Sequence, residues 1–326
     1  MSSIQERMMR VLLGALLLFQ TVLGVPSKGQ IAARELTSSA TTAAVTAATC
    51  NGRTEYCDRS YSNVTFIGSH DSAFVGKLPQ QNQNIDIKAQ LDMGVRFLQA
   101  QTHHSLLDDS VLELCHTSCV LEDAGTLESF LGTIKDWLDA NTNEVVTLLL
   151  TNGDSVDITD FGDTFSNSGI ADYAFAPLSS PDTLPIDEWP TIGELISSGK
   201  RLVVFLDYGT DTTKVDYILN EFNYYFETAY DVTDSSFSNC SIDRPFGASA
   251  SGRMYIVNHF LDVDIFGVKI PDRQHAARTN AATGDGSIGG QASLCEDMYD
   301  RAPNAILLDF VDEGDAINAQ NSLNGF

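Results

Sequence analysis

The chain has 326 residues, 43% of them hydrophobic, with 44 acidic and 19 basic side chains and a formal net charge of -25. This composition excludes a disordered chain, and the length allows two small domains or one large α/β barrel. The basic side chains form no run, which argues against nucleic acid as a partner. The net charge also opposes long-range attraction to an anionic membrane and favours solubility of an exported protein.

The N-terminus has the order of a secretory signal peptide: Arg7 and Arg10, an apolar run over 11–19, and small residues near Gly24. The apolar run is too short for a membrane span. We therefore predict a signal peptide over residues 1–24 and a secreted, extracellular product. Residues 25–49 are rich in Ser, Thr and Ala and predict a flexible leader, and 50–326 then form one domain, with neither repeat nor second linker. The C-terminus carries no apolar tail typical of a glycolipid anchor.

Six cysteines agree with export, because disulfides persist in oxidising compartments. Close spacing favours the pairs Cys50–Cys57 and Cys115–Cys119. The two cysteines that remain then form the pair Cys240–Cys295. A metal site at Cys115-His-Thr-Ser-Cys119 is the alternative, although zinc would need further ligands at comparable spacing. Asn63 and Asn239 begin glycosylation sequons, which matter only in a secreted chain.

Apolar runs of strand length recur along the domain, and most end at a polar residue. They cover 64–68, 95–100, 112–114, 145–150, 202–206, 224–229, 254–257 and 305–308. Eight is the strand number of a closed β/α barrel, and continuous hydrophobicity is typical of a parallel sheet covered by helices. Residues 126–140 predict one such helix, with an apolar stripe along one face. We expect a single α/β domain of the TIM (β/α)8 type.

Chemistry in such barrels lies where the strands end, so the polar residues there are the candidate site. They are His70, Gln101, His116, Asn152, Asp207, Asp231, Asn258, His259 and Asp309. Two of them stand out, because a pair of imidazoles with ordinary pKa values of about 6.5 can supply a base and an acid together. Cleavage of a phosphodiester requires both, one at the entering oxygen and one at the leaving oxygen.

The residues around these histidines carry a family resemblance. Ile67-Gly-Ser-His-Asp-Ser72, Gln90-Leu-Asp-Met-Gly-Val-Arg-Phe-Leu98, Leu114-Cys-His116 and residues 127–150 resemble the X region of phosphatidylinositol-specific phospholipase C. The closest likeness is to the secreted fungal branch of the phospholipase C-like phosphodiesterases. The resemblance is strongest over 65–152 and returns around 304–310. It implies a distorted TIM barrel.

The resemblance also implies roles. His70 matches the general base that takes a proton from the attacking hydroxyl, and His116 matches the general acid that protonates the departing alcohol. Asp309 resembles the carboxylate that orients the base, and Asp71 resembles the acidic residue that supports the acid. In inositol lipid cleavage the substrate's own hydroxyl would attack, giving a cyclic phosphate and diacylglycerol.

Gln99 and Gln101 depart from the family pattern, since bacterial members place an arginine there and calcium-dependent members place carboxylates. Asn152 replaces a further acidic metal position. Neutral amides are poor ligands for a hard divalent cation, so we expect no tightly bound metal and no cofactor. The developing phosphorane charge then needs another partner, for which Lys77, the glutamine amides or backbone N–H groups are candidates.

The other strand-end residues have two possible roles, contact with the substrate or packing of the loops. Barrel geometry favours Gln99, Gln101, Asn152, Asp207, Tyr208 and His259 as substrate contacts. Loop packing is the alternative explanation for Asn152, Asp207, Tyr208 and His259, and helix capping is the alternative for Asp309.

Three functions remain open on these grounds. The first is a secreted, metal-independent phosphodiesterase acting on a phospholipid or glycerophosphodiester, with transient contact to a lipid surface and no stable membrane anchor. The second is a metal-dependent enzyme related to glycerophosphodiesterases or sphingomyelinase D. The third is a binding protein that keeps the barrel and the pocket but has little turnover.

Overall fold

The computed structural model describes residues 49–326. The predicted signal peptide, and all of the predicted leader except Thr49, lie outside these residues. The strands are β1 Phe66–Ser69, β2 Phe97–His104, β3 Leu112–Cys115, β4 Asp123–Thr126, β5 Val146–Asn152, β6 Leu202–Leu206, β7 Ile218–Asn220, β8 Tyr225–Glu227, β9 Met254–Asn258, β10 Asp262–Ile265, β11 Val268–Pro271 and β12 Ala305–Leu308. The helices are α1 Ile87–Met93, α2 Leu127–Ala140, α3 Ile158–Asn167, α4 Ile192–Ser197, α5 Glu221–Tyr224, α6 Ala276–Thr279, α7 Ile288–Tyr299 and α8 Ala316–Leu323.

Eight strands form one parallel sheet in the order β7-β6-β5-β2-β1-β12-β9-β8. The first strand, β1, pairs with the last, β12, so the two ends of the domain meet at the centre of the sheet. Neighbouring strands along this path run parallel, as βα units require. In the described part of the chain, β7 and β8 at the two ends of the path form no ladder with each other. The α/β barrel is thus confirmed in a distorted, incompletely closed form.

One of the eight predicted strands was assigned to the wrong place. The run at 112–114 forms β3, which pairs antiparallel with the end of β2 and with β4, outside the parallel path. The eighth parallel strand is β7, whose three residues are too few to form an apolar run that stands out in the sequence. The count of eight was correct because these two errors cancel.

Helix α2 follows its prediction closely. Thr126 caps the helix by accepting a hydrogen bond from the N–H of Ser129. The whole apolar stripe is buried: Leu127, Phe130, Leu131, Ile134, Trp137 and Leu138. Full burial of such a side chain contributes about 1.5–3 kcal/mol, so the stripe fixes the helix against the sheet.

The alternation of side chains along each strand divides the core into two layers. In β6, Val203 and Phe205 belong to the cluster inside the barrel, whereas Leu202, Val204 and Leu206 face the helices. Both faces of the sheet are therefore apolar, as its continuous hydrophobic runs indicated. The polar ends of the strands are left to form a cleft.

All three predicted disulfides are present, and they leave no free cysteine in residues 49–326. The alternative of a metal site at Cys115 and Cys119 is wrong, because the two sulfur atoms are bonded to each other. No helix within the same residues is long and apolar enough to cross a bilayer.

Candidate active site

His70 and Asp309 meet because their strands are neighbours. Ser69 at the end of β1 is in register with Leu308 at the end of β12. The residues that follow them, His70 and Asp309, therefore lie side by side at the same edge of the sheet. The Nδ1 atom of His70 lies 2.9 Å from Oδ1 of Asp309. A carboxylate in this position accepts a hydrogen bond from Nδ1–H and leaves Nε2 to gain or lose a proton.

Two residues that the sequence did not single out hold this pair. The ring of Phe260 stacks on His70 with centroids 3.7 Å apart and planes 3° from parallel. The buried Asn82 amide donates to Oδ1 of Asp309 at 3.0 Å, and its nitrogen lies 3.3 Å from Nδ1 of His70. The imidazole plane and the carboxylate are therefore both fixed.

Asp71 lies between the two histidines. Its Oδ2 atom is 3.5 Å from Nε2 of His70 and 3.3 Å from Nε2 of His116. The side chain is fully buried, and the residue has a left-handed backbone with φ of 44°. Such a conformation is costly for a non-glycine residue and is typical of functional sites. The two Nε2 atoms thus converge on one oxygen.

The surrounding charges decide the protonation of His70. Burial opposes the charged imidazolium, but the carboxylates of Asp71 and Asp309 outweigh burial and raise the pKa of His70 to about 9. At neutral pH most His70 in the free protein is therefore protonated.

His116 lies outside the parallel sheet, in the turn after β3. The Cys115–Cys119 disulfide closes this turn, and Thr117 within it has φ of 64°. Gln101 connects the turn to the sheet: its Oε1 accepts the N–H of Thr117 at 3.0 Å, and its Nε2 donates to Oδ2 of Asp71 at 2.8 Å. Gln101 lines the cleft, as predicted, but both ends of its amide already have protein partners.

Gln99 and Asn152 are also used by the protein itself. Oε1 of Gln99 accepts the N–H of Asp71 at 2.7 Å. Oδ1 of Asn152 accepts the N–H of Val156 at 2.8 Å, and its amide donates to the carbonyl of Val156 at 3.0 Å. Loop packing accordingly explains Asn152, although both residues border the cleft.

This donor set does not fit a hard divalent cation. Neutral amides stand where charged oxygen ligands are needed, and the amide oxygens are occupied by backbone N–H groups. Within residues 49–326 the one cluster of His, Cys, Asp or Glu groups spaced as metal ligands is Glu113, Cys115 and Cys119. Its two sulfur atoms are bonded to each other and cannot act as thiolate ligands.

A cleft of about 460 Å³ extends from His70 across the strand ends. Asp207 and the half-exposed Tyr208 line it, in keeping with their predicted positions. Burial raises the pKa of Asp207 to about 6, although the carboxylate accepts hydrogen bonds from the N–H groups of Asn152 and Tyr208, which lower the pKa. Its carboxyl is therefore partly protonated in mildly acidic solution.

Arg244 supplies the cation that the sequence interpretation did not find in the cleft. Its Nε donates to Oε2 of the buried Glu227 at 2.8 Å, and its guanidinium lies 4.7 Å over the ring of Tyr230. Burial and the charge of Glu227 together raise the pKa of the neighbouring Glu221 carboxyl well above its usual range. The charge of Arg244 is therefore balanced by the carboxylate of Glu227, and its guanidinium borders the cleft, where it can contact polar groups.

Two predicted positions were wrong. His259 is fully buried behind the cleft, with Nδ1 2.6 Å from Oε1 of Gln291 and Nε2 2.8 Å from the carbonyl of Thr279. Burial lowers its pKa, and it cannot contact a substrate. Lys77 is exposed on the loop before α1 and does not border the cleft.

The fold and the site together define a class: an α/β barrel with one histidine at the carboxyl end of a barrel strand and a second on an adjoining turn. The PI-PLC X family model matches residues 56–324, and the chain belongs to this family. A PI-PLC X domain-containing protein 1 from Arthroderma benhamiae is 54% identical over 277 residues, which cover 85% of this chain and 89% of the relative.

Further comparisons agree with this assignment. An uncharacterized secreted protein from the same fungus is 42% identical over 274 residues, covering 81% of this chain but only 60% of the relative. Among solved structures, a mutant phosphatidylinositol-specific phospholipase C from Staphylococcus aureus has a TM-score of 0.55 at 17% identity, covering 82% of this chain and 94% of that one. The enzyme from Listeria monocytogenes gives 0.55 at 14% identity, with 82% and 95% covered. The fold is that of phosphatidylinositol-specific phospholipase C.

Proposed function

We propose that this protein is a secreted phosphoric diester hydrolase of the phospholipase C-like type that needs no metal ion. One observation carries the proposal: the Nε2 atoms of His70 and His116 face the same carboxylate oxygen of Asp71. Two imidazoles so arranged can serve the entering and leaving oxygens of one phosphate. Family membership and fold support the same class of reaction.

In the proposed reaction, neutral His70 removes the proton from the attacking hydroxyl as its oxygen bonds to phosphorus. The imidazolium that forms is stabilised by Asp309 through the 2.9 Å Nδ1 contact. His116 gives a proton to the leaving oxygen as the old phosphorus–oxygen bond breaks. A head group with an adjacent hydroxyl gives a cyclic phosphate and a free alcohol, and water then serves as nucleophile for ring opening.

The polar lining of the cleft supports a head group that carries hydroxyls. Asp207, Tyr208 and Arg244 offer charged and hydroxyl groups beyond His70. Because Glu227 already neutralises Arg244, that guanidinium is better suited to hydroxyl oxygens than to a second full negative charge. A phospholipid or a glycerophosphodiester is the proposed substrate.

A lipid surface is the proposed site of transient contact. The β10–β11 hairpin starts two residues after Phe260, which borders the cleft and stacks on His70. Phe266 at its turn is fully exposed. Val263, Ile265 and Val268 are exposed as well, interspersed with the charged Asp264 and Lys269. Apolar side chains at the mouth of a cleft can enter the headgroup region beside a bound lipid.

Export is proposed with the activity. The N-terminal order of charges and apolar residues, the disulfides and a relative described as secreted all support it.

A binding protein with little turnover is the second candidate, and the protonation of His70 favours it. With a pKa of about 9, only a small fraction of His70 is ready to act as a base at neutral pH. The charged form could hold a phosphodiester without cleaving it. The metal-dependent alternative has weaker support, since the amides around Asp71 do not fit a divalent cation.

The test is hydrolysis of phosphatidylinositol and of glycerophosphodiesters by the purified protein at pH 7 and pH 9, with and without EDTA. We expect EDTA-resistant turnover that His70→Ala and His116→Ala each reduce by at least about 10²-fold, the usual contribution of a positioned acid or base. His275→Ala is the matched control, because that histidine is exposed and pairs with Asp272.

Each other outcome selects an alternative. Loss of activity with EDTA would overturn the metal-free mechanism in favour of a metal-dependent one. Binding of the lipid without hydrolysis at either pH would establish the binding protein instead.

A further inference from the structure

The turn that carries His116 is held in a different way from the rest of the site. It belongs to the antiparallel β3–β4 excursion, so no parallel neighbour fixes its height above the sheet. Its main-chain hydrogen bonds stay inside the turn: Ser118 N–H donates to the carbonyl of His116 at 2.7 Å, His116 N–H donates to the carbonyl of Glu122 at 3.2 Å, and the carbonyl of Ser118 accepts the N–H groups of Leu121 and Glu122 at 2.9 and 3.2 Å. Other restraints must set the distance from His116 to Asp71.

The ring of Phe74 lies beside that of His116 with centroids 5.2 Å apart, and the amides of Gln80 and Gln81 donate to the Glu122 carboxylate at the far end of the turn. Two further restraints act on the loop between Cys115 and Cys119 itself. The Cys115–Cys119 disulfide brackets His116 and closes a loop of very few residues, with Cα atoms 4.7 Å apart. Gln101 then ties the loop to the sheet, since one amide contacts Thr117 and Asp71 at once. The disulfide restricts the loop's conformations, and the amide fixes its position relative to the carboxylate.

The identity of residue 101 matters for the second restraint. The contact to Asp71 needs an N–H donor, because its partner is a carboxylate oxygen. The contact to Thr117 needs an acceptor, because its partner is a backbone N–H. A primary amide offers both at one end of a side chain, whereas a carboxylate or a guanidinium offers only one kind of group.

We propose that the Cys115–Cys119 disulfide and Gln101 are positioning elements for the general acid, and that they set His116 against Asp71 for protonation of the leaving oxygen. They touch neither the attacking oxygen nor phosphorus. Their loss should therefore weaken only the leaving-group half of the reaction. This inference rests on the proposed function, but part of its test does not require turnover.

The test compares two phosphodiesters with the same head group, one with an alkyl alcohol and one with nitrophenol as leaving group. Nitrophenolate departs without a proton, so it does not need the acid. In Cys115→Ala/Cys119→Ala we expect kcat for the alkyl substrate to fall at least about tenfold, part of the roughly 10²–10⁴-fold that a positioned acid supplies. The nitrophenyl substrate should lose no more than about twofold, because its departure needs no proton from the acid.

Gln101→Met gives a second route if the double variant does not fold. It keeps the length of the side chain and removes both contacts, and the same dependence on leaving group is expected with a smaller loss. Cys50→Ala/Cys57→Ala is the matched control: it removes a disulfide in the N-terminal segment that packs on the inner core, and it should affect both substrates equally.

A measurement without substrate separates this inference from the proposed function. The ring ¹⁵N resonances of His116 should shift at constant pH in both the Cys115/Cys119 and the Gln101 variants. Those of His70 should stay in place in the Cys115/Cys119 variant, which leaves the Gln101 contact to Asp71 intact. Unchanged His116 resonances, or equal losses on both leaving groups, would overturn the inference. Absence of turnover in the parent protein would contradict only the proposed function, and the resonances would still decide.

Discussion

The two histidines of the site are held by different kinds of structure. His70 follows a central strand of the parallel sheet, and residues distant in sequence fix it: Asp309 after β12 and Phe260 after β9. His116 lies on an antiparallel excursion, where a local disulfide and Gln101 hold its turn and the buried ring of Phe74 packs beside its imidazole. The base is thus part of the barrel, whereas the acid belongs to an added loop. Changes in the barrel core should therefore affect the base, and changes in the loop should affect the acid.

The largest expected effect on the base side comes from Asp309→Asn. An amide cannot stabilise the imidazolium and permits the wrong tautomer of His70, so kcat/KM should fall by about 10²–10⁴. Because Asp309 has no contact with His116 among its hydrogen bonds, the loss should be the same for alkyl and nitrophenyl leaving groups. Steady-state kinetics on both substrates measures this.

The control for Asp309→Asn is Asp312→Asn, a nearby exposed carboxylate that contacts Asn84. It should leave both substrates unaffected. A selective loss on the alkyl substrate in Asp309→Asn would show that the two histidines are not held independently.

Asn82→Ala should have the next largest effect. It removes a 3.0 Å bond to the Asp309 carboxylate, and bonds to charged groups are worth about 1.5–3 kcal/mol, or roughly 10–100-fold in rate. The loss should appear in kcat more than in KM, since Asn82 does not border the cleft. Asn84→Ala, two residues on and half-buried, is the matched control; equal losses in the two variants would argue for general loop damage.

The pH dependence tests the base directly. The neutral form of His70 is required, and with a pKa of about 9 its fraction rises about tenfold per pH unit between pH 6 and pH 8. On the alkyl substrate the need for protonated His116 opposes this rise. On the nitrophenyl substrate, which needs no proton from His116, the kcat/KM profile should therefore climb until about pH 9. On this nitrophenyl substrate Asp71→Asn, which removes one of the charges that raise this pKa, should move the rise to lower pH. A profile that is already flat by pH 7 would contradict the proposed environment of His70.

The smallest effect concerns stability. Burial raises the pKa of Asp262, beside His70, from 3.8 to about 7. The folded state therefore binds this proton more tightly than the unfolded state, and the carboxyl destabilises the fold increasingly as pH rises from about 4 to 7. Asp262→Asn should raise the free energy of unfolding by about 1 kcal/mol at pH 8 and by little at pH 4. Denaturant titrations at both pH values test this, with the exposed Asp285→Asn as control; an equal gain at both would contradict it.

The central part of the site could be predicted from sequence because it follows from sheet geometry. His70 and Asp309 each come directly after an apolar run, and parallel neighbours in register bring such residues together. Two of the three disulfides were accessible from their close spacing, and the third from the two cysteines that remained. The helix α2 followed from its apolar stripe and its capping Thr126.

His259 shows where the strand-end rule stops. Successive residues of a strand face opposite sides, so Asn258 at the end of β9 borders the cleft and His259 turns away toward Gln291. A run of apolar residues does not reveal this parity. The pattern identified the right strand end but the wrong one of two adjacent side chains.

Arg244, Asn82 and Phe260 escaped prediction for a different reason. Each comes from a loop without periodic hydrophobicity, and each reaches the site through contacts with residues far away in the sequence. Arg244 in particular lies in a long segment between β8 and β9. One signal was available: a chain with few basic residues has few candidates for a cation in the cleft.

His70 and Asp309 lie near opposite ends of the described domain, and β1 cannot complete its pairing until β12 has been made. Helix α8, later still, also contacts β1, since Oε1 of Gln320 accepts the N–H of Ile67 at 2.7 Å. During synthesis the chain therefore carries its base histidine long before the partner of that histidine has been made. The order of synthesis itself delays assembly of the site until β12 and the residues after it have left the ribosome.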